Sequence, residues 1–175
     1  MAAKFSQLVT YFENLARQHR DIGHTDSEKH FFRMETDEVL GGINRTDVNY
    51  PMLIMEGYSY DFTDSKSDNL LKNRRGAFML LDHVSDPTDF DAMHRAWEKM
   101  EEIGDELILR MKADKRNPYS PVIRDFQFSG VEATLIANEI DNNCGIRYTY
   151  TLTSPLSNDV NPDKWLPVGS GEFNN

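Results

Sequence analysis

The densest set of side chains able to hold a metal or move protons lies between residues 19 and 30: His19, Asp21, His24, Asp26, Glu28 and His30. Imidazoles and carboxylates are zinc-ligand types, and three histidines with oriented partners suffice for a catalytic centre. The stretch contains neither an HExxH spacing nor paired cysteines. It is polar and includes Gly23, so it reads as a solvated loop between a helix and a strand. A small metal- or ligand-binding hydrolase built on the His19 to His30 region is therefore one alternative reading of this chain, and a non-catalytic protein-binding adaptor is the other.

Other chemistry is sparser. Asp61, Asp64 and Asp68 have the oxygen donors calcium wants, but not the EF-hand pattern with glycine at its sixth position. Glu101, Glu102, Asp105 and Glu106 crowd one region, yet paired carboxylates act as acid and base only in a cleft that separates their pKa values. There is no GxSxG elbow, P-loop or GxGxxG. Cys144 sits beside Gly145 in a turn-like sequence, which suggests exposure, with no neighbouring histidine or basic group to activate it. Two short basic runs, Lys72-Asn73-Arg74-Arg75 and Lys112 to Arg116, could touch a phosphate backbone. Tyr148 and Tyr150 share a stripe with Ile146 and Leu152 and read as core. No catalytic set, metal site or cofactor is expected.

The elements that must position these residues are easier to read. From Asp86 to Asn117, Phe90, Met93, Trp97, Met100, Leu107, Ile108 and Met111 recur at helical spacing, with Gly104 where the stripe needs a small residue. Asp86 and Pro87 look like the cap and first turn, and Lys112, Lys115 and Arg116 suit the C-terminal end of the dipole. Such a helix is on the order of 40 Å long and needs a sheet beneath it. An amphipathic helix is expected from Phe5 to His19, a short strand over 30–35, and one or two helical turns over 36–43. Strands are expected over 52–60 and 76–84, both apolar on two faces and so central. Between them, 61–75 reads as a protruding loop or hairpin tip. Residues 122–128 and 131–140 are further strands with a bend at Ser129-Gly130, and Asp141 to Gly145 is a turn. The last strand alternates Ile146, Tyr148, Tyr150 and Leu152 against Arg147, Thr149, Thr151 and Thr153. After Pro155, regular structure is expected to stop in an extended arm anchored by Trp165.

The fold class is therefore α+β: a mostly antiparallel sheet flanked by an N-terminal amphipathic helix and one long central helix, with a C-terminal hairpin and an extended arm. The chain of 175 residues suits one domain over 1–154 with the arm over 155–175. A formal charge of -10 argues against a surface that grips nucleic acid through its phosphates. One cysteine excludes an internal disulfide and fits a reducing compartment, and no long apolar run or secretory core is present.

This order of elements is similar to the plan of tailed-bacteriophage neck and tail-completion proteins. Several phrases resemble small proteins from phages and prophages of Bacteroides-type hosts, including the crAss-like type: Asp37-Glu38-Val39-Leu40, Gly76 to Asp82, Glu102 to Glu106, Lys112 to Arg116, and Cys144 to Leu152. The resemblance implies a virion structural protein, made in the host cytoplasm, that forms a homo-oligomeric ring at the head-tail junction. It would be a tail terminator, completion or neck subunit, six-fold or twelve-fold, touching neighbouring neck or tail proteins. Genomic DNA would pass through the lumen without sequence-specific binding, and no membrane would be involved. The candidate subunit-interface residues, chosen from this sequence, are Leu70, Leu71, Arg74, Arg75, Glu98, Glu101, Glu102, Asp105, Trp165 and Leu166.

Overall fold

A computed structural model of the chain describes residues 3–33, 48–64, 70–137, 142–156 and 160–166. The expected helical turns over 36–43 lie outside them. The chain is α+β. Helix α1 (Phe5–Gln18) buries Leu8, Val9, Phe12, Leu15 and Ala16, the stripe its spacing demands. Its first turn is tied by Gln7, whose Oε1 accepts from the Lys4 backbone N–H at 2.8 Å.

Strand β1 (Phe31–Arg33) runs parallel to β2 (Met52–Met55). Strands β3 (Ser59–Asp64), β4 (Leu70–His83), β5 (Phe126–Ile136) and β6 (Asn143–Leu156) complete the sheet. The order is β1-β2-β4-β6-β5, and β3 also pairs with β4, on its N-terminal half. The spine is β4 against β6, antiparallel from Leu70↔Leu156 to His83↔Asn143. The hairpin from β5 to β6 turns through Asn142, whose φ of 60° asparagine tolerates. An irregularity between Gln127 and Glu132 bends β5 where Ser129-Gly130 indicates it.

One face of the sheet presents Leu53, Met55, Phe78, Leu80, Ile146, Tyr148, Tyr150 and Leu152 to the two helices. The other buries Met52, Ile54, Met79 and Leu81 with Phe32, Val48, Tyr50 and Ile136. Burial on both sides is why β2 and β4 carry unbroken apolar runs.

Helix α2 (Phe90–Lys115) crosses the sheet and buries Met93, Ala96, Met100, Ile103, Gly104, Leu107, Ile108 and Met111. Its start differs from the expected one. Asp89 is the cap, accepting from the Ala92 N–H at 2.9 Å, while Asp86 closes its own turn by accepting from the Thr88 N–H and hydroxyl. Phe90, expected in the buried stripe, is 68% exposed in the first turn. Trp97 is half-buried and donates from Nε1 to the Ile136 carbonyl at 2.7 Å, fastening the helix to the end of β5.

Two other expectations are corrected. The strand over 52–60 is broken at Glu56–Tyr58, where the Glu56 carboxylate takes a two-point bond from Arg147 at 2.6 and 2.8 Å. Of residues 61–75, expected as a protruding loop or hairpin tip, 61–64 and 70–75 are strand. Their polar side chains replace apolar burial with cross-strand bonds: Asn73 donates to Asp61 and Thr63, both at 2.9 Å, and Arg75 pairs with Asp61. Accordingly β4 begins at Leu70, six residues before the expected start.

At the centre, Phe12 of α1, Phe78 of β4 and Tyr148 and Tyr150 of β6 form a ring cluster. Phe78 stacks on Tyr148 with centroids 5.2 Å apart, and Phe12 lies 5.5 Å from Phe78 and 5.6 Å from Tyr150. Gly104 makes the contact between α2 and this cluster possible, since a Cβ there would fall 2.2 Å from Tyr148 Cε2. Overpacking costs about 1–3 kcal/mol and the helix propensity gained is about 1 kcal/mol. Gly104→Ala is therefore expected to destabilise the fold by up to about 2 kcal/mol net, read as a lower denaturant midpoint at unchanged slope.

The buried phenols of Tyr148 and Tyr150 are pushed above the ordinary phenol value, chiefly by burial, as is that of Tyr11, which donates to Asp114 at 2.9 Å. A raised folded pKa favours the neutral phenol. Stability is full below about pH 10, the unfolded phenol value, and falls as pH rises beyond it. Near-ultraviolet absorbance should show these three tyrosines ionising only as the protein unfolds.

Candidate interaction surface

The three histidines of residues 19–30 do not converge. His19 donates from Nε2 to Glu106 on α2 at 2.9 Å while its Nδ1 accepts from the Asp21 N–H. His24 is buried, and its Nδ1 accepts from the His30 N–H at 3.1 Å, which fixes its proton on Nε2. His30, also buried, turns Nδ1 toward the Pro51 carbonyl at 2.8 Å, so that nitrogen is the donor. Each imidazole joins a different pair of elements. Beside them lies an open depression of about 500 Å³ lined by Glu13, Arg17, His24, Asp26, Lys29 and Phe31. Its central cation is already held, Arg17 reaching Glu13 at 2.8 Å and Asp26 at 2.6 Å. Among the described residues no three His, Cys, Asp or Glu side chains are placed to share a metal. Cys144, expected to be exposed, is fully buried with Val84, Met93 and Ala96, because β6 begins one residue before it.

The polar back of α2 divides into two parts. Toward α1 it is used within the subunit: Glu106 takes His19, and Asp114 takes Arg110 at 3.0 Å as well as Tyr11. Asp105 accepts from the Tyr148 hydroxyl at 2.9 Å, with the Glu101 carbonyl 3.2 Å from the same oxygen. Glu98, Glu101 and Glu102 are exposed.

The remaining interface candidates gather at the far end of the sheet. Leu70 and Leu71 are half-buried at the start of β4, and Arg75 is exposed on the face away from the helices. Arg74 faces the helix side, opposite Leu152, and is buried rather than presented. Register places Tyr60, Phe62, Lys72, Ser154 and Leu156 on that same side. Lys72 Nζ lies 3.7 Å from the centre of the Tyr60 ring, and Phe5 at the start of α1 packs on Tyr58 at 5.7 Å. Beyond Tyr58 helix cover ends, leaving Tyr60 and Phe62 each 53% exposed. Strand β6 continues to Leu156, into the segment expected as arm. Trp165, expected to anchor it, is 70% exposed, with Leu166 exposed beside it.

Among the described residues, β1, β3 and β5 each have one edge with no strand beside it. The ends of β5 are capped by α2, through Trp97 on the Ile136 carbonyl and Lys115 on the Phe126 carbonyl at 2.6 Å. Between these bonds Phe128, with Lys112 Nζ 4.2 Å from its ring centre, and Leu135 are exposed. The residues that sequence reasoning missed are Tyr60, Phe62, Phe128 and Leu135, while Lys72 was noted only as part of a basic run. The alternation of Tyr60 and Phe62 against Asp61 and Thr63 is the signal that could have found the first pair.

A scan of protein-family models finds no match to this chain, and a search of curated proteins finds none either. Among the described residues, no helix is long and apolar enough to cross a membrane.

His24 makes the stability of this region sensitive to acid. Burial, then the nearby Arg17 charge, holds its pKa below the ordinary histidine value, while Glu13 acts in the opposite direction. A depressed folded pKa means that the unfolded chain takes up a proton first. Stability is full above about pH 6.5, the unfolded histidine value, and is lost as pH falls below it. His24→Asn, which retains an acceptor for the His30 N–H, should flatten that acid slope in melts recorded across the window.

Proposed function

We propose that this chain is a non-catalytic structural protein of a tailed-bacteriophage virion, a subunit that forms a ring with copies of itself at the head-tail junction. The observation that carries the reading is that, among the described residues, the sheet ends on unlike edges, β1 and β3 on one side and β5 on the other. Unlike surfaces favour a head-to-tail contact, which repeats from copy to copy and closes when the rotation between neighbours divides a full turn. Edge pairing supplies backbone hydrogen bonds without a special side-chain code. The sequence phrases that resemble neck and tail-completion proteins support the location in the virion, as tail terminator, completion or neck ring. A charge of -10 suits a lumen through which DNA moves without adhering.

Mass photometry and negative-stain microscopy test the reading. Rings are expected from the full chain, six-fold or twelve-fold, along with binding to portal or tail partners. Ala133→Lys with Leu135→Lys places charge on the bare edge of β5 and should reduce rings while leaving subunit stability within about 0.5 kcal/mol. A chain that remains monomeric and joins neither partner overturns the proposal.

A further inference from the structure

Arg74 is 6% exposed, yet no carboxylate among the described residues pairs with it. Its Nη1 donates to the Ser154 hydroxyl at a long 3.4 Å, its Nε has no acceptor, and its guanidinium carbon lies 5.8 Å from the centre of the Tyr58 ring. Among the described residues, Glu56 is held by Arg147, and Asp61 by Arg75 and Asn73. Lys72, two residues along the same strand, adds a second positive charge on the same face over the Tyr60 ring. A buried guanidinium without a counter-charge is strongly unfavourable. This end of the sheet therefore combines two cations with exposed aromatic surface, and its complement is a carboxylate beside an aromatic ring.

The arm of this chain has that composition. Asn161 caps the short turn Pro162–Lys164 by accepting from the Asp163 N–H at 3.0 Å, and Asp163 itself is exposed. Two residues on, Trp165 has an extended backbone and is 70% exposed, followed by Leu166 at 91%. The basic aromatic face and the arm, which carries Asp163 and Trp165 on either side of Lys164, are thus both exposed in one chain. We infer that the arm over 160–166 of one copy lies on the far end of the sheet in the next copy. Asp163 meets Lys72 there, beside the buried Arg74 charge, and Trp165 covers Tyr60 and Phe62. The inference rests on the reading of this chain as a self-assembling subunit and specifies one contact within that assembly.

Full-length variants test it. Arg74→Met removes a buried charge that no described carboxylate compensates, so the dilute monomer should melt at a higher temperature while self-association weakens on the order of tenfold or more. Trp165→Ala should weaken association to a similar degree without shifting the monomer melt. Mixed one to one, the two variants should associate more tightly than either alone, because the intact arm of one finds the intact face of the other. If wild-type chains assemble and both variants assemble equally well, the arm contact is wrong and the ring reading stands. If Arg74→Met lowers the melting temperature and leaves assembly unchanged, Arg74 serves only its own subunit and the inference fails. A wild-type chain that never assembles removes the ring reading, and the arm contact with it.

Discussion

The close approach of Gly104 to the Tyr148 ring is the constraint on which the other contacts depend. A helix crossing a sheet at this position needs one turn without a side chain, and α2 supplies it where the largest buried rings of β6 and β4 stand. Once the helix is seated there, the Tyr148 hydroxyl reaches Asp105, Trp97 reaches the end of β5, and Lys115 reaches its beginning. The same ring cluster receives Phe12, so α1 is located by aromatic packing as well as by its bonds from Tyr11 and His19 to α2. Burial provides most of the driving force; these few polar contacts select the register in which it occurs.

Much of this architecture was legible in the residues. The stripes of α1 and α2, the two-faced burial of β2 and β4 and the alternation of β6 each follow from a period that only one kind of element satisfies. Gly104 could be assigned a role because a glycine inside a long apolar stripe implies a close neighbour. What failed was the polar half of the sheet. Residues 59–64 and 70–75 contain Asp, Ser, Thr, Asn, Lys and Arg because they pair with one another across strands, and pairing at a distance leaves no local period. The cap at Asp89 rather than Asp86 was a choice between two acids three residues apart, decided by which one bonded its own turn.

The candidate site was less legible still. Arg74 looked like one member of an exposed basic run, and alternation alone could not reveal that it turns inward while Arg75 turns outward. The histidines show the opposite case, a sequence cluster dispersed by the fold. His19 links α1 to α2, and His24 and His30 fasten the chain leading into the first strand. Residues close along the chain come together chemically only when their side chains share a direction, and here the backbone turns between them. The functional proposal accordingly rests on surfaces the fold leaves incomplete.

The ladder between β4 and β6 has a mechanical consequence. Fourteen residues of β4 are matched along the full length of its partner, and this ribbon runs from beneath α2 out to the basic aromatic end. A load drawn along the strands would act on many rungs at once in shear, instead of peeling them apart singly. The far end of the sheet is therefore a stiff lever rooted in the ring cluster, and a pull applied at Leu70 and Leu156 is delivered directly to the centre of the fold.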